Sequence, residues 1–486
     1  MMEKAIKKVQ SVLLAAAGSV SLFVFTAFLV TGILCMEPMV WYREQIDLIN
    51  QYVVFPWGMA LCLLRLERRK AAAWPAPRRD VQVLFVLLLW IIAPFMLRFG
   101  VTFNNMGAWY NHAVVYFGIY AFLSEKSAEE RERSFDLMVL LCGVLTFTLA
   151  GALLYCAATA QTIYHGAQTM GFGLNGGAHI TYGLHYNLSA MLMVCLAMIT
   201  LAGVTRSRAL PLRLFFAAGA AMMLIAVVLT QSRTARYASI VALSVGTYGV
   251  IAGRVKMRRR ALHQLTALAA AAVVLVGAYV GAAKLTDAAL MHYAKIQNAR
   301  AQGQAVGVID QTVDAVIAPA LAEETAGQET AVQPMEARAA VDSTFSDRTT
   351  IWKNLFELWA ENPKNMIIGN GVGRTGRYVV KGTIHEEAGA VQLHNTYLQH
   401  TADFGLIGTG LLALFFILLV RPLLGVFLAR GDKRKPGYTA LCMLVIAMLA
   451  TGMMESAPLG GFSPANMMLF FALALLAGRG HDLAHL

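Results

Sequence analysis

The sequence predicts an all-α polytopic membrane protein of about twelve transmembrane helices, with one large, partly helical loop on the outer side. Three observations predict it. Of the 486 residues, 58% are hydrophobic and only 14% charged, with a mean hydropathy of +0.58, too apolar for a soluble multidomain chain of this length. Apolar runs recur at roughly the 20 residues a helix needs to cross the hydrocarbon core. Lysine and arginine collect in alternate loops, as they do on the cytoplasmic side of membrane proteins.

Taken in order, the spans are expected near 11–35, 47–66, 81–99, 107–123, 135–158, 184–204, 211–230, 234–253, 262–285, 404–428, 437–455 and 464–478. The first follows the basic start MMEKAIKKVQ, is too long for a signal-peptide core, and lacks a clear A-x-A site, so it reads as an uncleaved span. Residues 65–79 hold six Lys/Arg, 124–134 three, 205–213 three, 254–260 five and 421–435 five. With Lys4, Lys7, Lys8 and Arg479, one side receives 26 of the 40. The short loops of the other side hold only Arg43, Arg98, Arg233 and Arg236, and 159–183 holds none. Both termini are therefore expected in the cytoplasm and the long segment 286–393 outside. The chain divides into spans one to nine (1–285), the outer loop (286–393) and spans ten to twelve (394–486). The net charge of +12 is thus a topology signal, not a nucleic-acid footprint, because the basic runs abut membrane spans.

Six cysteines (Cys35, Cys62, Cys142, Cys156, Cys195, Cys442) lie in or at the ends of apolar segments and form no disulfide framework or metal-ligand spacing. Within the outer loop, 301–341 is rich in Ala, Gln, Glu and Gly without aromatics, a composition of flexible or loosely helical chain. In SDRTTIWKNLFELWAENP, by contrast, Ile351, Trp352, Leu355, Phe356, Leu358 and Trp359 recur at helical spacing until Pro363 stops the pattern. An amphipathic helix able to lie on the membrane surface or on the bundle is expected there.

Polar groups on the outer side are the candidates for chemistry. In QSRTARYAS, Arg233 and Arg236 are three apart and share a helical face, with no acid within twenty positions. They fit an anionic ligand, or else lipid phosphates or an acid such as Asp347 or Asp403. Arg348 is expected in the first turn of the amphipathic helix, where it opposes the dipole unless an anion binds between the two; the alternative is a surface pair with Asp347 or Asp342. In HNTYLQHTADFGLIGTG (394–410), helical phase puts His394, Leu398, Thr401, Gly405 and Gly408 on one face and turns His400 elsewhere. Gly405 and Gly408 would let that face approach a neighbouring helix. His394 by itself reads first as an interfacial polar group.

That stretch resembles the motif of the O-antigen ligase and O-antigen polymerase superfamily, a His-Asn/Ser followed about ten residues later by G-x-x-G-x-G, here ending in Gly405, Gly408 and Gly410. SRTA at 232–235 is similar to the outer-loop arginine motif of the family, and DRTTIW followed by NPKNMIIGNGVG to its arginine-bearing loop helix and glycine-rich stretch. The resemblance covers residues 180–420 in order; the first 150 match only in topology, and 301–341 looks like an insertion.

The resemblance implies a glycosyltransferase of GT-C-like architecture in the bacterial cytoplasmic membrane, acting on the outer face. It would move a glycan from an undecaprenyl-diphosphate-linked donor to an acceptor hydroxyl on a glycan, lipid A core or protein. His394 would be the catalytic residue, Arg233 and Arg348 would bind the donor diphosphate with Arg236 beside them, and Asn395, Thr401, Gly405, Gly408 and Gly410 would support the motif. Guanidinium groups suit a leaving diphosphate, and imidazole is the side chain suited to activating a sugar hydroxyl near neutral pH. No D-x-D or metal-ligand cluster is seen on the outer side, so the expected transfer is inverting, with no metal or other cofactor and no nucleic-acid partner. A flippase-like transporter and a non-catalytic scaffold for envelope assembly are the alternatives, although no pair of similar halves supports the first.

Overall fold

A computed structural model describes residues 16, 18–30, 48–71, 78–98, 103–159, 162–165, 168–172, 180–182, 186–254, 260–301, 343–372, 375, 379, 393–429, 435–455 and 463–484. It is built almost entirely of helices. α1 is Val20–Phe28, α2 Phe55–Ala71 after a π-helical turn at Asn50–Val54, α3 Arg79–Arg98, and α4 Phe103–Ala113, which runs on through π-helical Val114–Ala121 to Phe122–Ser124. Next come α5 (Ala128–Thr159), α6 (Tyr186–Arg206), α7 (Leu210–Leu229), α8 (Arg233–Arg254) and α9 (Arg260–Ala301). The loop contributes α10 (Ser343–Glu361) and α11 (Pro363–Ile368), followed by α12 (Thr396–Phe427), α13 (Tyr438–Thr451) and α14 (Pro464–Ala484).

Among the described residues, six helices are long and apolar enough to cross a membrane: α5, α6, α7, α8, α9 and α12. The chain is thus an all-α polytopic membrane protein. Helices also lie under the other six expected spans, but α1 is described over only nine residues and apolar α13 is only 14 residues long. The tract 302–342 lies outside the described residues.

Three findings differ from the sequence expectation. Between α5 and α6, three short antiparallel strands, β1 (Thr162–His165), β2 (Gln168–Phe172) and β3 (Ile180–Tyr182), form a small sheet in the order β1-β2-β3. α12 starts at Thr396, eight residues before the expected span, because Asn395 caps it with its side-chain oxygen, accepting from Tyr397 N and Leu398 N at 3.0 Å each. α10 begins at Ser343, and Pro363 not only stops it but opens α11, the position in a helix where a missing N–H costs nothing.

α14 is apolar on every side and sits in the middle of the bundle: Met467 to Ala477 are buried throughout, with Phe470 against Tyr116, Tyr120 and Phe415. α6 is its counterpart, buried from Ala190 to Ile199. α9 lies at the periphery, with Leu265, Leu268, Val273 and Val276 exposed as for lipid contact. Phe216 of α7 fits against Gly143 of α5 and Gly203 of α6, where a Cβ would overlap its ring.

The basic loops are knitted together at one end of the bundle. Glu132, in the first turns of α5, accepts from Arg206 Nη2 at 2.9 Å, Lys435 Nζ at 2.9 Å and the Tyr438 hydroxyl at 3.1 Å, joining the ends of α6 and α13 to α5. Arg65 pairs with Glu125 at 3.0 Å, and Arg78 with Asp80 at 2.6 Å, where Tyr120 also donates. Replacing Glu132 by Ala removes the acceptor shared by three donors, two of them cationic. The expected loss is about 2–3 kcal/mol, read as a lower thermal midpoint by fluorescence-detected size exclusion in detergent; an unchanged midpoint would show that the network does not hold these helix ends.

Candidate active site

The opposite ends of the same helices converge on one carboxylate. Glu455 lies just past the last turn of α13, 8% exposed, and a buried carboxylate is tolerated only when paired and hydrogen-bonded. Asn187, in the first turn of α6, donates from Nδ2 to Glu455 Oε1 at 2.7 Å, and Arg348 of α10 donates from Nη2 to the same oxygen at 3.1 Å. The other carboxylate oxygen, Oε2, faces His394 Nδ1 at 3.6 Å. That separation is beyond hydrogen-bond range and within that of an ion pair, so Nδ1 remains without a hydrogen-bond partner while facing an anion. The other ring nitrogen, Nε2, is the one left for a ligand.

A second strand of the network reaches α8. A carboxylate can only accept, so the Asn187 amide is turned with its NH2 toward Glu455 and its oxygen outward. That oxygen accepts from the Ser232 hydroxyl at 2.7 Å, and Ser232 Oγ in turn takes the Ala235 N–H at 3.4 Å at the start of α8. α12 is tied in through its first residue: Thr396 N donates to Gly452 O at 2.7 Å and Thr396 Oγ1 to Glu455 O at 2.8 Å, while Asn395 Nδ2 donates to Met453 O at 2.9 Å. These bonds occupy carbonyls that the end of α13 leaves open. Three helix N-termini, those of α6, α8 and α12, therefore meet at Glu455, each adding partial positive charge.

The network brings together the three stretches that the sequence singles out, and corrects how two of them work. Arg348 is the sixth residue of α10 and not in its first turn, so no dipole argument applies to it; it pairs with Glu455 at 3.1 Å. His394 precedes the helix, with a left-handed φ of 49°. The helix also breaks at Gly405 (φ 72°, ψ −179°), so a single helical phase cannot run from 394 to 408. His400 is buried, with Phe404 packed edge-on at 4.8 Å. Arg233 is exposed directly after Ser232 and has no ion-pair partner among the described residues, whereas Arg236 is half-buried with its guanidinium over the Tyr237 ring at 5.4 Å.

The glycines account for the break. At Gly405, α12 gives up its hydrogen-bond ladder, and outside groups occupy the freed carbonyls. Asn370 N donates to Ala402 O at 2.8 Å, Gly371 N to Asp403 O at 2.9 Å, and Trp90 Nε1 to Phe404 O at 2.7 Å. Gly369 (φ 92°) and Gly405 let the α11 turn lie directly on the kink, since a Cβ on Gly369 would stand 2.6 Å from Gly405 N and one on Gly405 would overlap the Ile367 carbonyl. Thr401 spans the break, donating to Tyr397 O at 2.8 Å and meeting Thr409 Oγ1 at 3.0 Å. A Cβ on Gly408 would approach Trp90 Cδ1 at 3.2 Å, whereas one on Gly410 would meet nothing within 4 Å.

Sequence reasoning misses Glu455 and Asn187. The available signal is a carboxylate at the end of an apolar span, which is a functional-site hypothesis in its own right.

The fold and the site define a class: a polytopic helical membrane protein whose helix ends gather a histidine, a carboxylate and several arginines at one end of the bundle. Residues 218–413 match the family model described as O-antigen ligase. That region runs from the middle of α7 to the middle of α12 and includes Arg233, Arg348 and His394, whereas Asn187 and Glu455 come from outside it. No curated protein matches the sequence.

Gly405→Ala is expected to fail as a folded protein, combining a left-handed φ with overlap on the Ile367 carbonyl, while Gly410→Ala behaves as wild type. Monodisperse yield on size exclusion in detergent separates the two; equal yields would mean that the kink is not required.

Proposed function

We propose that the chain is a glycosyltransferase that moves a glycan from an undecaprenyl-diphosphate donor to an acceptor hydroxyl on the outer face of the cytoplasmic membrane, with inversion and without a metal. The observation that carries this reading is the buried carboxylate of Glu455, which engages Arg348 at 3.1 Å and faces His394 at 3.6 Å where three helix N-termini meet. Family membership supports lipid-linked glycan and acceptor substrates in general.

In this mechanism the acceptor hydroxyl gives its proton to His394 Nε2 as its oxygen attacks the anomeric carbon from the face opposite the diphosphate. The bond from that carbon to the diphosphate oxygen breaks, and the lipid diphosphate leaves with the electron pair. Arg233 and Arg348, together with the helix N-termini, stabilise the charge that grows on the leaving group. Arg236 lies one turn further along α8 and extends the cationic surface. Glu455, facing Nδ1 at 3.6 Å, stabilises by its charge the imidazolium that forms.

His394→Ala, Arg233→Ala and Glu455→Gln should each remain membrane-inserted. Loss of a positioned base removes about 10²–10⁴-fold in rate, so H394A should give no measurable transfer from extracted undecaprenyl-diphosphate glycan to the native envelope fraction. E455Q should lose a smaller share, about 10²-fold. Full transfer by both H394A and R233A would overturn the mechanism. Movement of labelled donor across vesicles without a new glycosidic bond would indicate a transporter, and complementation of a deletion strain by these variants a scaffold.

A further inference from the structure

His394 takes a left-handed backbone conformation that is uncommon for a side-chain-bearing residue and persists only when its surroundings fix it. The residue before it is held on both sides. Leu393 is fully buried; its carbonyl accepts from Trp352 Nε1 at 2.8 Å and its N–H donates to Gln399 Oε1 at 3.1 Å. Gln399 lies one turn into α12, and its Nε2 donates to both oxygens of Asp403, each at 3.1 Å. Asp403 is 7% exposed and sits at the kink, its backbone carbonyl taken by Gly371.

The direction of this chain is fixed by chemistry. A carboxylate has no proton to give, so the Gln399 amide must turn its NH2 to Asp403 and its oxygen to Leu393. Asp403 therefore determines which atom of Gln399 meets the backbone ahead of His394.

We propose that Gln399 and Asp403 are positioning residues that set the placement of the His394 imidazole by pinning the Leu393 N–H. They act through the backbone and touch no reacting atom. The inference rests on the reading of His394 as the base, and it adds a backbone support to the carboxylate of Glu455 that faces the ring.

The test compares transfer kinetics of the full-length protein in proteoliposomes, varying extracted undecaprenyl-diphosphate glycan with native envelope fraction as acceptor. Q399E still accepts from Leu393 but sets two carboxylates against each other. D403N added to Q399E restores a donor facing an acceptor with the polarity reversed. Misplacing a catalytic group by an ångström costs about 10²-fold, so Q399E should lower kcat by roughly 10- to 100-fold with donor KM nearly unchanged, and Q399E/D403N should recover most of it. Gln399→Met, which removes both hydrogen bonds without adding charge, should show the same kcat loss and reads the effect even if Q399E does not accumulate.

A folded Q399M with wild-type kcat overturns the proposal, as does a Q399E/D403N protein no faster than Q399E or a loss confined to KM. H394A in the same assay separates the two levels. If H394A is inactive and Q399M is fully active, positioning alone fails; if H394A is active, the assignment of the base fails.

Discussion

Everything at the candidate site depends on how one buried carboxylate finds its partners. Removing such a group from solvent costs several kcal/mol unless donors and cations surround it. Glu455 meets that condition by drawing Asn187, Arg348 and His394 from three separate parts of the chain. The requirement runs outward from there, since the Asn187 oxygen left free of Glu455 is what Ser232 binds, and Ser232 caps the start of α8 immediately before Arg233. Four helix ends and a loop helix thus take their places around one anion.

The second constraint is the break in α12. A helix interrupted where it is buried in the bundle leaves carbonyls without a helical partner, so other protein groups must take them. Here the α11 turn supplies two backbone N–H groups and Trp90 a side-chain donor. This arrangement explains why the loop helices, which otherwise rest on a small apolar cluster of Ile351, Leu355, Trp359, Leu393 and Ala402, are seated firmly on the bundle. The seating brings Arg348 to Glu455.

Much of this is legible in the sequence, because hydropathy and loop charge act locally along the chain. The apolar runs give the membrane class, the period of Ile351, Leu355 and Trp359 gives α10, and the motif resemblance points to Arg233, Arg348 and His394. What escapes is set by distant partners. Asn187 and Glu455 are 268 residues apart, and nothing near either one announces the other. The kink escapes for a different reason: helical phase assumes a continuous ladder, and Gly405 reads equally well as a packing glycine until the turn at Gly369 is found lying on it.

The energetics also bear on why such a cluster exists. Replacing a buried ion pair by apolar side chains of similar volume is often neutral or stabilising, so Glu455, Arg348 and His394 are a poor way merely to join α10 to the bundle. The apolar contacts of Ile351 and Leu355 already do that. A charged cluster at the meeting point of three positive helix ends is instead what a site needs if it is to receive a diphosphate, because cations and dipoles fixed in advance need no rearrangement as negative charge develops. Glu455 holds Arg348 in place by their ion pair, and Arg233, exposed and with no ion-pair partner among the described residues, is not committed to it.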